Sequence, residues 1–439
     1  MAPIAPIGAH ALLLLLLQIG VLLLLALALG RLAVRLKLPP VVGELTAGVL
    51  LGPSLFFQVS PDLSAWLIPH EAEQFHMLDA VGQIGVLLLV GITGAHLDLK
   101  LIRRQGTAAV KVSGFGLVIP LGLGVATGLL LPQAFTGGKD QTVFALFLGV
   151  AMCVSAIPVI AKTLIDMNLM HRNIGQLTLT AGMVDDAFGW LMLSVVSAMA
   201  TTGLHTGNVL LSLAYLAGVL VFAVVIGRPL VRKVYQLAAR SADAVPTIAS
   251  TVVLILLASA GSHALGLEPI FGAFVMGVLI SASGRPDPAR LAPLRTVVLA
   301  VFAPIFFATA GLRMDLTALA RPDVLGFAAL ILAIAIAGKF AGAYLGALTS
   351  RLNKWEALAL GAGMNARGVV EVIVAMVGLR LGVISTEVFT IIILVAVITS
   401  VIAPPILRVA MSRVQLTPEE DERRKAHLGL ATPVLERVG

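Results

Sequence analysis

The sequence predicts an all-α integral membrane protein with thirteen transmembrane helices, arranged as inverted-topology repeats around two crossed discontinuous helices. Three observations carry this prediction. The 439 residues are 59% hydrophobic and only 12% charged, with mean hydropathy +1.02, whereas soluble chains carry about 25% charged residues. Apolar runs near the ~20 residues that span a bilayer as helix recur between short Gly- and Pro-marked gaps; a β-barrel would show alternating segments of about ten. Lys and Arg also sort by side once the runs are alternated across a membrane.

The candidate spans are 10–30, 41–57, 77–97, 106–131, 142–166, 172–201, 208–233, 244–266, 268–283, 291–313, 322–349, 354–381 and 385–411. The first positive charge, Arg31, follows the first apolar run, and no small-x-small cleavage site stands out. That run therefore reads as a retained helix rather than a secretory signal. With the N-terminus outside, 23 of the 30 Lys and Arg fall in inside segments, four fall outside and three lie within spans. The positive-inside rule then gives a multi-pass protein with its N-terminus outside and its C-terminus cytoplasmic. The net charge of +7 reflects these loops and implies no nucleic-acid partner. The single Cys153 excludes an internal disulfide and a cysteine-cluster metal site.

Two short motifs recur. TGAHLDL (93–99) ends the third span and AGLRMDL (310–316) ends the tenth; AGVLL (47–51) in the second echoes MGVLI (276–280) in the ninth. The copies run in opposite directions through the membrane, the construction typical of secondary transporters. Chance similarity in apolar sequence is the competing explanation. The domain layout is then 1–411 transmembrane, with repeat one over about 10–201, a linking helix at 208–233 and repeat two at 244–411. A short charged cytoplasmic tail fills 412–439, where Thr417-Pro418-Glu419-Glu420 reads as a capping box.

Asp185 and Asp186 lie mid-way along the sixth span. A carboxylate at bilayer depth costs roughly 3 kcal/mol on insertion scales, so a pair kept there points to a site for a cation, a proton or both. A static ion pair with a buried base is the plainer alternative. Lys339, about ten residues from either end of its span, is the candidate partner for one aspartate, leaving the other to face an ion path. Gly182 and Gly189 flank the pair and permit close helix approach. Proton and cation would compete for this coupled pair, which titrates as a unit.

Transporter sites of this construction lie where helices are interrupted. The fifth span carries Ser155-Ala156-Ile157-Pro158, and Pro158 frees backbone carbonyls. The twelfth carries Gly363-Met364-Asn365-Ala366-Arg367-Gly368. Ser155, Pro158, Asn365, Arg367 and Glu371 are the candidates for discontinuous helices and coordination; a simple kink at Pro158 and a snorkelling edge at Asn365-Arg367 are the alternatives. Arg367 and Glu371, four residues apart on one helical face, can neutralise each other. Glu44, His96 and His263 lie near span ends.

Several stretches resemble monovalent cation/proton antiporters: VVGELTAGVLLGPSLF (41–56), GQIGVLLLVGITGAHLDL (82–99), VSAIPVIAKTL (154–164), GMVDDAFGW (182–190), PIFFATAGLRMDL (304–316) and 339–379. The most similar branch holds bacterial sodium/proton antiporters, glutathione-gated potassium efflux systems and plant cation/proton exchangers. The resemblance implies a 13-helix fold with a dimerisation domain and a mobile core, in which the fifth and twelfth helices cross, and it implies a homodimer moving as an elevator. By position Asp186 matches the ion-binding aspartate, so it is the expected ligand of a monovalent cation. Asp185 matches the neighbouring acid of electrogenic members, where it pairs with a lysine matching Lys339. The expected function is exchange of Na+ or K+ for protons across the bilayer of a bacterial plasma membrane, electrogenic, without cofactor and without enzymatic activity. Sodium-coupled transport of an organic solute, or a cation channel, is the alternative. Gly94-Ala95-His96-Leu97-Asp98 departs from the family's Gly-Leu-Glu-x-Asp, and the tail is too short for the dinucleotide-binding domain of gated potassium efflux systems. Asn365-Ala366-Arg367-Gly368 and Glu371 look more like the plant exchangers, so the sequence leaves Na+ and K+ both open.

Overall fold

The computed structural model describes residues 7–36, 38–68, 72–97, 99–203, 206–241, 243–283 and 287–427. The first half opens with α1 (Ala9–Arg35) and α2 (Pro40–Leu51), followed by the short α3 (Phe56–Val59) and α4 (Pro61–Leu67). Next come α5 (Ala72–Ala95) and α6 (Leu99–Leu130). One apolar run is split into α7 (Gln141–Cys153) and α8 (Ile157–Asp166), and α9 (Asn173–Thr202) completes the half. α10 (Thr206–Phe222) passes through a π turn into α11 (Arg228–Ala238). The second half holds α12 (Val245–Ala264), α13 (Pro269–Ala282), α14 (Pro288–Val297) with its continuation α15 (Ala303–Leu312), and α16 (Pro322–Thr349). A second split pair, α17 (Lys354–Met364) and α18 (Val369–Arg380), precedes α19 (Thr386–Met411) and the tail helix α20 (Pro418–His427).

Helices are the expected solution, because a bilayer offers backbone groups no water and each must be satisfied within its own segment. Each predicted span coincides with a helix or a helix pair. By length, fewer helices qualify as crossings than the thirteen expected. Among the described residues, eleven helices are long and apolar enough to span, or twelve if the bent pair α17–α18, at 43°, counts as one. The predicted ninth span is α13, whose 14 residues reach about 21 Å at 1.5 Å per residue, short of the ~30 Å hydrocarbon core. Boundaries also moved. The second span stops as helix at Leu51, where extended Gly52 precedes Pro53. The fourth holds its predicted place, Gly106–Leu130, and the helix continues back to Leu99 only across a kink where Gly106 takes φ 53°. The linking span runs on to Ala238 through its π turn.

The two recurring motifs meet in space, once for each half. Gly48 of α2 lies against α15 so closely that an added Cβ would sit 1.9 Å from the Ala308 carbonyl oxygen and 2.7 Å from Gly311 Cα. Gly277 of α13 lies against α5 in the same way, 2.1 Å from the Gly91 carbonyl oxygen and 2.9 Å from Gly94 Cα. The motif alignment pairs Gly48 with Gly277 and Gly311 with Gly94, so one backbone contact is the other with the halves exchanged. Chance similarity would not reproduce a contact of this kind at both positions.

Burial sorts the helices by depth. α1 exposes Leu12, Leu13, Leu16 and Leu24, and the α10–α11 turn exposes Phe222, Val224 and Val225, apolar faces suited to lipid. The residues of α7, α15, α17 and α18 are buried on nearly all sides. The split helices thus occupy the centre, with α9 beside them.

Candidate ion-binding site

α9 carries both aspartates near its middle, and both are fully buried. Neighbouring helical residues point about 100° apart, so the two carboxylates meet different surroundings. Asp185 is surrounded by donors. Ser113 Oγ of α6 donates to Oδ1 at 2.5 Å, and the Lys339 ammonium of α16 forms an ion pair with Oδ2. Ser155 Oγ lies 2.9 Å from Oδ2 and 2.8 Å from the Met364 carbonyl oxygen; its single proton serves one acceptor at a time. Asp186, by contrast, accepts no hydrogen bond at either oxygen from a described donor. The Ile157 amide at the start of α8 lies nearby but outside hydrogen-bond geometry.

The two breaks cross and bond to each other. Val154 and Ala156 are extended, at ψ 150° and 102°. Pro158 stands in the first turn of α8, where a missing N–H leaves no bond unmade. Asn365 closes α17, and Gly368 opens α18 at φ 155°, ψ −106°, a conformation reserved for glycine. A Cβ there would also lie 2.8 Å from Val159 Cγ2. The Ala156 amide donates to the Ala366 carbonyl at 3.2 Å, and Gly189 lets α9 close on the first break, since a Cβ would meet Val154 Cγ1 at 2.4 Å.

Ending α7 at Cys153 leaves its last carbonyls without intrahelical partners, at the negative end of the helix dipole. Two buried cations take them. Arg367 donates to the carbonyls of Ala151 at 3.2 Å, Met152 at 2.7 Å and Ala335 at 2.9 Å, and Lys339 donates to Cys153. Arg367 also pairs with Glu371 Oε1 at 2.5 Å. Five ionisable side chains are thus packed together at 0–1% exposure: Asp185, Asp186, Glu371, Lys339 and Arg367. Three acids face two bases, and each base is already paired with one acid. Asp186 is the remainder, and an uncompensated buried carboxylate costs several kcal/mol. One proton or one monovalent cation removes that cost.

A cavity of about 490 Å³ approaches from the N-terminal side of α9, reaching Ile157, Pro158 and Met183. Met183 is one helical turn before Asp186. Glu44, His96 and Lys162 stand in the cavity wall.

Comparison with known proteins assigns the family. The transmembrane domain of the sodium/hydrogen exchanger family matches residues 20–413. The chain belongs to this family. It is 32% identical to the Na+/H+ antiporter NhaS4 of Synechocystis sp., over 91% of this chain and 97% of that protein. It is 29% identical to cation/H+ antiporter 17 of Arabidopsis thaliana and 27% identical to K+/H+ antiporter 1 of Saccharomyces cerevisiae, each over 91% of this chain. It spans about half the length of those two relatives, 48% and 46%. Among solved structures, the sodium proton antiporter MjNhaP1 from Methanocaldococcus jannaschii superposes with TM-score 0.67 at 17% identity, covering 91% of this chain and 99% of that one. The exchanger fold is therefore the fold of this chain.

Within this exchanger, the structure gathers Asp185, Asp186, Lys339, Ser155, Arg367 and Glu371 into one buried region, with Pro158 and Asn365 at its two breaks. Asn365 Oδ1 has no described donor. Several participants had no local signal. Ser113 is an ordinary serine in an apolar helix, 72 positions from Asp185. The carbonyls of Ala151, Met152 and Cys153 matter because of where α7 stops. Only the Pro158 motif hinted at that stop.

Proposed function

We propose that this exchanger carries a monovalent cation, Na+ or K+, one way across the membrane and protons the other, with the Asp186 carboxylate as the shared site. Asp186 is fully buried, lies one turn from the cavity and accepts no hydrogen bond at either oxygen from a described donor. That observation carries the reading. A lone buried carboxylate has to be neutralised, and the two carriers of a single positive charge then exclude each other. Asp185 is the structural half of the pair, held by Lys339, Ser113 and Ser155. The pairing of Asp185 with Lys339, which resembles that of electrogenic members, supports exchange of two protons per cation and so an electrogenic cycle. The matched relatives are named antiporters for Na+/H+, cation/H+ and K+/H+ exchange, and neither a channel nor an organic-solute symporter is favoured. The Lys and Arg distribution supports an external N-terminus and a cytoplasmic C-terminus, with the transmembrane unit over 1–411. A homodimer in the plasma membrane, with thirteen crossings, completes the proposal.

The test is exchange in proteoliposomes under an imposed pH gradient. Added Na+ or K+ collapses the gradient in the unaltered protein, and a voltage dye reports net charge. An unchanged collapse in Asp186→Asn would remove Asp186 from the site.

A further inference from the structure

α9 bears a second set of buried polar groups beyond the aspartates. Trp190, Ser194 and Ser197 are 3%, 0% and 2% exposed. Trp190 Nε1, Ser194 Oγ and Ser197 Oγ nevertheless have no hydrogen-bond partner among the described residues. This is unusual for hydroxyls in this molecule. On α9 itself Thr178, Thr180 and Thr201 return their protons to the carbonyls of Ile174, Gln176 and Ser197. Ser259 and Thr309 do the same on other helices. Buried polar groups left without partners cost about 1–3 kcal/mol each, and three in a row are rarely kept without use.

Their positions make a line. At 100° per residue, Met183, Asp186, Trp190, Ser194 and Ser197 fall within an arc of about 80° on one face of α9. Met183 opens this face on the cavity. Asp186 comes next, and the three unpartnered groups continue for about 16 Å towards the opposite end of the helix at 1.5 Å per residue. The face is covered there: Phe274 of α13 sets its ring 6.3 Å from that of Trp190. One half of the face is therefore open to a cavity, and the other half is polar but closed.

We propose that Trp190, Ser194 and Ser197 line the second half of the ion path, a route for water and a hydrated monovalent cation between Asp186 and the membrane face opposite the cavity. The route opens when α9 shifts against α13 and parts Trp190 from Phe274. Water then satisfies the indole N–H and both hydroxyls, while the Met183 end closes. The inference rests on Asp186 as the ion site, because it is the end of the route that the three groups lead to.

The experiment uses the full chain in right-side-out and inside-out vesicles, with the fully buried Cys153 left in place and the labelling of the unaltered protein subtracted. Cysteines are placed at Ser194, at Ser197 and, as a control, at Val196, which is equally buried at 3% exposure but lies on a different face. A membrane-impermeant, positively charged methanethiosulfonate is added from one side at a time during turnover. Since thiol modification depends on access, Ser194→Cys and Ser197→Cys are expected to react at least about tenfold faster than Val196→Cys, and only from the side opposite the cavity. Reaction no faster than the control, or only from the cavity side, overturns the proposal. If a cysteine variant fails to insert, Trp190→Phe keeps the ring and deletes the N–H. It should slow exchange about fivefold, the worth of one hydrogen bond, with the apparent KM measured from the cavity side unchanged; an unchanged rate counts against the route. Labelling needs no intact Asp186, so sided labelling in Asp186→Asn supports the route even where exchange in that variant has refuted the site.

Discussion

Two faces of the same helix treat two adjacent carboxylates in opposite ways. On the side of α6, α16 and the α7–α8 break, Asp185 is met by an ammonium and two hydroxyls. On the cavity side, Asp186 is equally buried and has no described donor. Sequence neighbours of identical chemistry have thus been given different work by about 100° of helical rotation. The saturated carboxylate is architecture: it fixes Lys339, which in turn holds the Cys153 carbonyl where α7 breaks. The unsaturated one carries chemistry, because its free energy depends on what binds it. A site that exchanges two cations needs both kinds, one fixed scaffold charge and one charge open to exchange.

The sharpest way to break this comparison is to neutralise each member in turn. Asp186→Asn should reduce exchange by at least about 100-fold, since an amide at this depth offers no charge to compensate, while thermal unfolding in detergent stays close to the unaltered protein. Asp185→Asn should do the reverse in kind. It strands Lys339 as an uncompensated buried cation and should lower stability by about 3–5 kcal/mol. Adding Lys339→Met should recover more than half of that loss, measured as non-additivity in unfolding. If Asp185→Asn left stability untouched, or Asp186→Asn unfolded the protein, the two roles would have to be exchanged.

A smaller effect separates fixed charge from fixed geometry. Arg367→Lys keeps the charge beside Glu371 but cannot reach the carbonyls of Ala151, Met152 and Ala335 together. The expected loss is roughly 2–3 kcal/mol from orphaned acceptors, read by thermal unfolding, with exchange impaired through the crossing rather than through Asp186. The effect should show as a slower maximal rate at little change in KM.

The weakest effect lies at the start of α9. Glu420 of the tail accepts the Asn173 amide at 2.6 Å and pairs with Arg172 at 3.2 Å, capping the helix that carries the aspartates. Burial on its own pushes the Glu420 carboxyl up, but the Thr417 and Asn173 amides and the Arg172 guanidinium outweigh it and hold it below its ordinary value. The folded form therefore favours the carboxylate. Its contribution is fully present above the ordinary glutamate range, near pH 4.3, and is lost only as pH falls through the lowered value. Glu420→Gln should cost about 1 kcal/mol, as for a helix cap, and should remove that acid dependence from protease protection of the tail.

Much of this was legible in the sequence for identifiable reasons. Spans announce themselves through length and hydropathy, and membrane burial makes each charged residue within them conspicuous. Asp185, Asp186, Lys339 and Arg367 all stood out on that ground. Pro158 marked the first break, and a run of glycines around Asn365 marked the second. The crossing count was less legible, since α13 has only 14 residues and 268–283 entered the count through the alternation of Lys and Arg rather than through its length. Least legible was the assignment of donors. Ser113, the α7 carbonyls and the unpartnered Ser194 and Ser197 owe their roles to neighbours far away in the chain, and a serine in an apolar helix looks the same whether its hydroxyl returns to the backbone or not. The recurring glycine motifs were faint as sequence and gained force only when Gly48–Gly311 and Gly277–Gly94 proved to be the same contact.

The central claim is that one carboxylate, Asp186, holds either a proton or a monovalent cation. The direct measurement is proton release on cation binding. Purified protein in weakly buffered detergent solution is titrated with Na+ and with K+ while pH is recorded at several starting values. The account predicts that the preferred cation releases protons saturably, that its apparent affinity weakens as pH falls, and that Asp186→Asn releases none. Proton release that persisted in Asp186→Asn, or cation affinity independent of pH, would contradict it.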